Sequence, residues 1–352
     1  MKLSFAAINP YIQDNKIDSE EKIIGNLIKW GSDNKYPNYL DELYKNVPTL
    51  RAIIDACVDY TAGEEVKSES IISNDELEEL VKEISLSYYK FGGFALNILR
   101  NRMGIISKIC VMDFRTLRFT DDCKKILYSK KFANRDKYRT STKTFVLDLF
   151  NPEDKTQMSS VFYYSNSKYT HYPIPMYEAA ITACEIEKSI DEYHLNNINN
   201  GFVGSVIVNL NNGTPDDEIK EEIEREFNEK FTGKENAGRV VISYNDDKEH
   251  GATIEKIDNE DFSERYSALA ARSKQAIFTS FRMTPTLAGI PTENNGFSAE
   301  QYAEQYALFY TTVIRPVQKL IVNKLKYILN TYIEIVPFKI DFDNSKNINN
   351  IN

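Results

Sequence analysis

The chain has 352 residues, 42% of them hydrophobic and 27% charged, enough apolar material for a substantial core beneath a charged surface. No apolar run approaches the roughly 20 residues that cross a bilayer, and the stretch Met1–Pro10 is too short for a secretory leader, so no membrane role and a cytoplasm-like compartment are expected. A formal net charge of −9 argues against a protein that grips nucleic acid through clustered cations, though not against a surface past which DNA slides.

Residues 1–36 mix short apolar runs with polar breaks and hold the only tryptophan, Trp30. Beyond Tyr36-Pro37-Asn38, the residues Leu40, Leu43, Tyr44, Val47, Leu50, Ile53, Ile54, Cys57, Val58 and Thr61 recur at three- and four-residue spacing. This predicts an amphipathic helical region, divided at Pro48 and closed by Gly63. A further helix is expected over 75–90, with Leu77, Leu80, Val81, Ile84 and Tyr88 on one face. From Phe94 the period changes. Residues 94–100 and 105–112 read as strands joined through Asn101-Arg102-Met103-Gly104, residues 113–119 stay extended, and short strands follow at 144–150 and 160–164. Up to Pro175 the reading is a mixed α+β body.

Pro175 suits the first turn of a helix over 176–199, which is acidic at Glu178, Glu185, Glu187, Asp191 and Glu192. Strands at 202–210, 239–244 and 252–257, with an acidic helix at 216–231, form a small α/β insert before a second long helix over 260–283. Met283-Thr284-Pro285 breaks that helix, and a Gly/Asn/Thr-rich loop runs to Ser298 before another helix over 299–330. The Asn-rich tail 344–352 is expected to be disordered.

Catalytic chemistry is not written in these residues. Cys57, Cys110, Cys123 and Cys184 have no metal-ligand spacing, His171, His194 and His250 are scattered, and no Walker motif is present. Glu178, Glu185 and Asp191 lack a histidine or metal partner and read as a charged helix face. The acidic run from Asp216 reads likewise as a solvated face, and Ala268, Ala270, Ala271 and Ala276 read, from composition alone, as packing within one subunit. No cofactor is expected.

Several segments in order resemble the portal proteins of tailed double-stranded DNA phages, the HK97-like portal family. They are Phe91-Gly92-Gly93-Phe94-Ala95, Met112-Asp113-Phe114-Arg115-Thr116-Leu117-Arg118, and the helix with its Asn200-Gly201 turn into a strand. Next come Gly233-Lys234-Glu235-Asn236-Ala237-Gly238 before Arg239-Val240-Val241-Ile242, then Ser280-Phe281-Arg282-Met283-Thr284-Pro285, Ser298-Ala299-Glu300-Gln301 and Ile314-Arg315-Pro316-Val317. Phe91-Gly92 and Asp113-Phe114 depart from the family's Tyr-Gly and Asp-Pro.

The resemblance implies a non-enzymatic α+β portal-type subunit: an α+β wing (1–175), stem helices (176–201 and 259–283), a clip (202–258), a tunnel loop (284–298) and a wing and short crown element (299–343). It further implies a dodecameric homo-oligomeric ring in the virion, at one capsid vertex, assembled in the host cytoplasm. Capsid and scaffold proteins, the large terminase and a tail adaptor would be its partners, and double-stranded DNA would pass through without sequence specificity. The tunnel loop would present Ile290, Thr292, Glu293, Asn294, Asn295 and Phe297. The clip would dock partners through Asp217, Glu221, Glu222, Glu224, Glu226 and Lys234, and subunits would meet at Glu185, Glu264, Arg265, Ala268, Arg272 and Lys274. The alternatives are a soluble α+β enzyme with an unrecognised site and a monomeric DNA-binding module.

Overall fold

The computed structural model describes residues 23–24, 27–133, 144–199, 206–210, 219, 240–244, 253–256, 262–290 and 299–338. The chain divides into two compact units, one formed by 1–181 with 276–352 and the other by 182–275.

Strands β1 (Ile23–Ile24) and β2 (Leu27–Ile28) open the first unit as an antiparallel pair. Helices α1 (Tyr36–Asn46) and α2 (Pro48–Ala62) each carry proline in the first turn, where the missing N–H costs nothing. The residue before a proline is driven out of helical backbone. Val47 accordingly sits at φ −109° and ψ 103°, separating the helices where the sequence places the division. Leu40, Leu43, Leu50, Ile53, Ile54 and Cys57 are fully buried, and each large aliphatic among them contributes about 1.5–3 kcal/mol. After α2 comes β3 (Glu65–Ser68).

Helix α3 (Asn74–Phe91) starts at Ser73, whose hydroxyl accepts from the Glu76 N–H at 3.3 Å, with Asp75 and Glu76 in the favourable first turn. It stops at Gly92, φ +86°, where a Cβ would lie 2.1 Å from the Ile174 carbonyl oxygen, so only glycine fits. The aromatics buried on α3 are Tyr89 and Phe91, whereas the predicted Tyr88 is half-buried. The core row runs Leu77, Val81, Ser85, Tyr89. Ser85 satisfies its hydroxyl on the Val81 carbonyl at 2.7 Å, and the Tyr89 hydroxyl bonds Thr61 Oγ1 at 2.8 Å.

Strands β4 (Gly93–Arg100) and β5 (Ile106–Met112) pair antiparallel in register Ile98↔Ile109. Residues 113–119 are not uniformly extended. Asp113 Oδ1 accepts from the Arg115 N–H at 3.0 Å, which closes a 3-10 turn at Phe114–Thr116 before β6 (Leu117–Phe119). β6, β7 (Lys125–Tyr128) and β8 (Phe145–Asp148) form one antiparallel sheet in that order. β9 (Ser159–Ser165) joins β4 on the side away from β5, leaving β4 central, with Phe94, Ala95, Leu96 and Ile98 fully buried.

Two buried charged residues tie these layers together. Asp41 on α1 is 4% exposed. It receives Lys45 at 2.8 Å, Lys90 of α3 at 2.5 Å and Arg115 at 2.6 Å. Burial would raise its carboxyl, but the hydrogen bonds from Lys45 and Lys90 and the charges of Lys90 and Arg115 win and hold it below the usual value. Arg118 of β6 is fully buried, and among the described residues it makes no ion pair within salt-bridge distance. Its guanidinium donates to the Asn34 side chain, the Asn34 carbonyl at 2.6 Å and the Leu117 carbonyl at 2.6 Å. Burial pushes its pKa down to about 10, which leaves it charged at neutral pH. Its charge also lies over the rings of Phe132, at 5.0 Å, and Trp30, at 5.9 Å. Trp30 in turn stacks on Tyr172 with ring centroids 4.6 Å apart.

Helix α4 (Ile181–Asn199) starts five residues later than predicted. A 3-10 turn over Glu178–Ala180 precedes it, following buried Tyr177, whose hydroxyl donates to the Lys90 carbonyl at 3.0 Å. In the second unit, β10 (Val206–Leu210) lies between β11 (Val240–Tyr244), parallel to it, and β12 (Thr253–Lys256), antiparallel. A parallel pair needs a crossover of a dozen or more residues, usually helical, and residues 211–239 supply the length. The predicted acidic helix lies in that stretch, outside the described residues apart from helical, exposed Ile219. The Asn200-Gly201 turn and the tail 344–352 also lie outside them.

Helix α5 (Phe262–Phe281) returns the chain to the first unit. The helix predicted over 299–330 is α6 (Ala299–Phe309) and α7 (Arg315–Leu329), joined by a wide π turn at Tyr310–Ile314 in which the Arg315 N–H reaches the Tyr310 carbonyl. Pro316 explains the interruption, because its ring and missing N–H cannot continue the ordinary ladder. Gln318 is 5% exposed. Its amide donates to the Thr61 carbonyl at 3.1 Å, and its oxygen accepts from the Tyr310 hydroxyl at 2.9 Å. β13 (Ile333–Val336) then pairs antiparallel with β3, setting Ile335 against Val66.

Replacing Asp41 by Asn should cost about 3–5 kcal/mol of stability in denaturant unfolding, because Lys90 and Arg115 lose their shared carboxylate. In the wild type this contribution is complete above the unfolded carboxylate value of about 3.9 and falls away as pH drops through the lower folded value. The Asn variant should lack that part of the acid profile. Arg118→Lys should cost about 2–4 kcal/mol, since a single ammonium cannot reach the carbonyls that the guanidinium spans; an unchanged melting curve would contradict this account.

Candidate functional site

The root of the predicted loop is built by the end of α5. The Met283 N–H bonds the Phe278 carbonyl at 3.1 Å, and the Arg282 N–H bonds the Thr279 carbonyl at 3.0 Å. This paired closure stops a helix through one left-handed residue, and the side chains at its two ends, Phe278 and Met283, are both buried. The left-handed residue is Arg282, φ +55°, in a conformation that costs a residue with a side chain roughly 1–2 kcal/mol.

Beyond it, Pro285–Ala288 form a 3-10 turn capped by Gly289 at φ +76°. Leu287 is buried, and its carbonyl accepts from the Tyr60 hydroxyl of α2 at 2.8 Å. The Tyr60 and Tyr302 hydroxyls lie 3.1 Å apart, and the Thr284 hydroxyl donates to Gln305 Oε1 of α6 at 2.8 Å. Residues 284–289, predicted as the start of the loop, are therefore a fixed turn held by α2 and α6. Nothing local in the sequence marks Tyr60, Tyr302 or Gln305 for this task, because their partners lie far along the chain. Exposed Ile290 follows. Thr292, Glu293, Asn294, Asn295 and Phe297 lie outside the described residues.

On α5 the buried side carries Ser273, Ile277 and Phe281, whereas Ala268, Arg272 and Thr279 are exposed on the other side. Lys274 is exposed but sits roughly 200° of helical turn from Arg272, so the two do not share a face. The alanines divide as well: Ala268 and Ala271 are exposed, and Ala270 and Ala276 are half-buried. Glu185 on α4 is half-buried. For Glu264 and Arg265 only the helical backbone is described, and Asp217, Glu221, Glu222, Glu224, Glu226 and Lys234 lie outside the described residues. Tyr193 of α4 and Tyr266 of α5 bring their ring centroids to 4.8 Å.

Burial pushes up the thiols of Cys57 and Cys184, the latter to about 12 with help from Glu187 and Glu185, so both are protonated at neutral pH. Burial also raises the Glu178 carboxyl. Among the described residues no cluster of His, Cys, Asp and Glu could hold a metal, and no helix is long and apolar enough to cross a membrane.

The comparisons fit this architecture. A neck of a native GTA particle computed with C12 symmetry is similar over 88% of this chain and 87% of that chain, at 14% identity and a TM-score of 0.53. A virion of a native gene transfer agent particle matches over 88% and 87%, at 16% identity and a TM-score of 0.51. An HK97 family phage portal protein from Corynebacterium diphtheriae matches over 89% of this chain and 97% of its own, at 8% identity and a TM-score of 0.52. Comparison with curated protein sequences gives no match. At these identities the structures speak for the fold, the mixed helix-and-sheet portal architecture expected from the sequence. The family model described as phage portal protein matches residues 74–347, more than half of the chain. The chain therefore belongs to the phage portal protein family.

Proposed function

We propose that this chain is the subunit of a closed portal ring, dodecameric in the particle, that sits at one capsid vertex and passes double-stranded DNA during packaging and ejection. The observation that carries the reading is the portal-family match over residues 74–347; the likeness to a neck computed with C12 symmetry supports the ring. In this reading residues 1–175 form the wing, α4 and α5 the stem, and 202–258 the clip that docks terminase and tail adaptor through its acidic residues. Capsid and scaffold proteins contact the outer body, and assembly takes place in the host cytoplasm.

The loop from Ile290 to Phe297 narrows the channel. Its root supports that role: a constriction must hold position while DNA slides past, and Leu287 and Thr284 are bonded to two separate helices. The segment carries no Lys or Arg, which keeps phosphate contacts weak, as movement requires.

Native mass measurement should find closed rings of the 40.6 kDa chain, about twelve copies in the particle form. A monomer at every concentration and salt level would sink the proposal. Deleting residues 290–295 should leave ring assembly intact but impair DNA packaging or retention, read in an assembly assay with the matching capsid. A deletion that unfolds the subunit would mean the segment belongs to the core.

A further inference from the structure

The two helices proposed as the stem carry opposite charge. Helix α4 has Glu185, Glu187, Asp191 and Glu192 against a single Lys188, whereas α5 has Arg265, Arg272 and Lys274 against a single Glu264. The charges are ordered by helical position as well as by number. On α4, Glu185, Ser189 and Glu192 recur at four and three residues and so share a stripe; Cys184, Glu187 and Ile190 are buried on another side. Glu185 is half-buried, Ser189 is exposed, and the Glu192 side chain is 62% exposed. On α5, Ala268 and Arg272 lie four residues apart on the exposed side, and Arg265 occupies the position two turns before Arg272.

Among the described residues Arg272 and Glu185 make no ion pair within the subunit, and Glu192 has only a loose contact with Lys188 at 3.9 Å. Among the described residues the acidic stripe thus has little neutralisation within the subunit. A basic stripe of matching spacing stands on the neighbouring helix, turned away from the buried side.

We infer that in the ring the Glu185–Ser189–Glu192 stripe of one subunit packs antiparallel against the Ala268–Arg272 stripe of the next. Glu185 pairs with Arg272 of the neighbouring copy, and Ser189 sits against its Ala268. The seven-residue spacing then sets Glu192 level with helical position 265 of the neighbour. Small residues at Ser189 and Ala268 let the helices approach closely between the two charged rungs. Setting either stripe against its own copy across a two-fold axis would oppose like charges. A head-to-tail contact opposes unlike ones, and that is the contact from which rings are built. Lys274, on another face of α5, takes no part. The inference rests on the ring reading above and specifies which faces meet.

The test is a charge exchange in the full chain, with assembly followed by native mass measurement across concentration and each subunit's fold checked by thermal unfolding. Glu185→Arg and Arg272→Glu singly should each raise the concentration needed for half-assembly by roughly tenfold or more, since each creates a like-charge contact. The double variant should recover most of the loss. Single variants that assemble like the wild type, or a double variant no better than the singles, would overturn the pairing while leaving the ring reading intact. A wild-type chain that never forms rings would instead defeat the ring reading. If either reversal unfolds the subunit, Glu185→Gln and Arg272→Gln replace it: each should weaken assembly and lose part of its salt dependence, and no change in either would again reject the pairing.

Discussion

The first unit is closed by a bond between residues that stand 257 positions apart in the chain, the Gln318 amide on the Thr61 carbonyl. The last carbonyls of a helix have no partner within it and need one from elsewhere. Here the partner arrives only after the chain has left the unit, formed the insert and returned. Around that bond gather the Tyr60 hydroxyl on Leu287 and the β3–β13 ladder. The end of α2 is therefore one place where the two halves of a discontinuous body are joined, beside ring contacts such as Tyr177 on Phe281 and Phe162 on Tyr327. Closing so long an excursion costs little more than closing a short one, because the entropy grows only with the logarithm of loop length. A large insert is compatible with a stable body for that reason.

Two buried charges inside the body are engaged on several sides at once. Asp41 gathers three cations from α1, α3 and the turn before β6, and Arg118 spends its guanidinium on carbonyls and on the Asn34 side chain. Each is costly to bury and worthwhile only when fully engaged. Both fix the angles between layers that apolar contacts alone would leave free to slide.

Periodicity made the helices and central strands legible. The α1–α2 division at Pro48, the body of α3 and the pairing of β4 with β5 all follow from local spacing and from proline and glycine chemistry. What stayed hidden depended on distant partners or on small polar residues. Ser85 masks the row that buries Tyr89, β3 is a strand only because β13 lies beside it, and β7 is too short to declare itself. The stop after α5 carries Arg282 where glycine would be the expected signal. At the candidate site, the Pro285 and Gly289 signals were visible, but not that Tyr60 and Gln305 hold the turn between them. Helical spacing could have separated Arg272 from Lys274; burial was needed to say which face is free.

The π turn at Tyr310–Ile314 sets a phase. Each residue of an α-helix advances about 100° around the axis, so one wide turn offsets everything after it relative to an unbroken helix. Upstream, Tyr306 and Phe309 lie near Tyr60, with ring centroids 5.4 and 6.2 Å away. Downstream, Gln318 meets the Thr61 carbonyl. A strictly regular helix through this stretch would be out of step at one of the two ends. The extra residue acts as a vernier that lets one rod dock in two places, and deleting it would trade a smoother helix for a rotation of the whole C-terminal half.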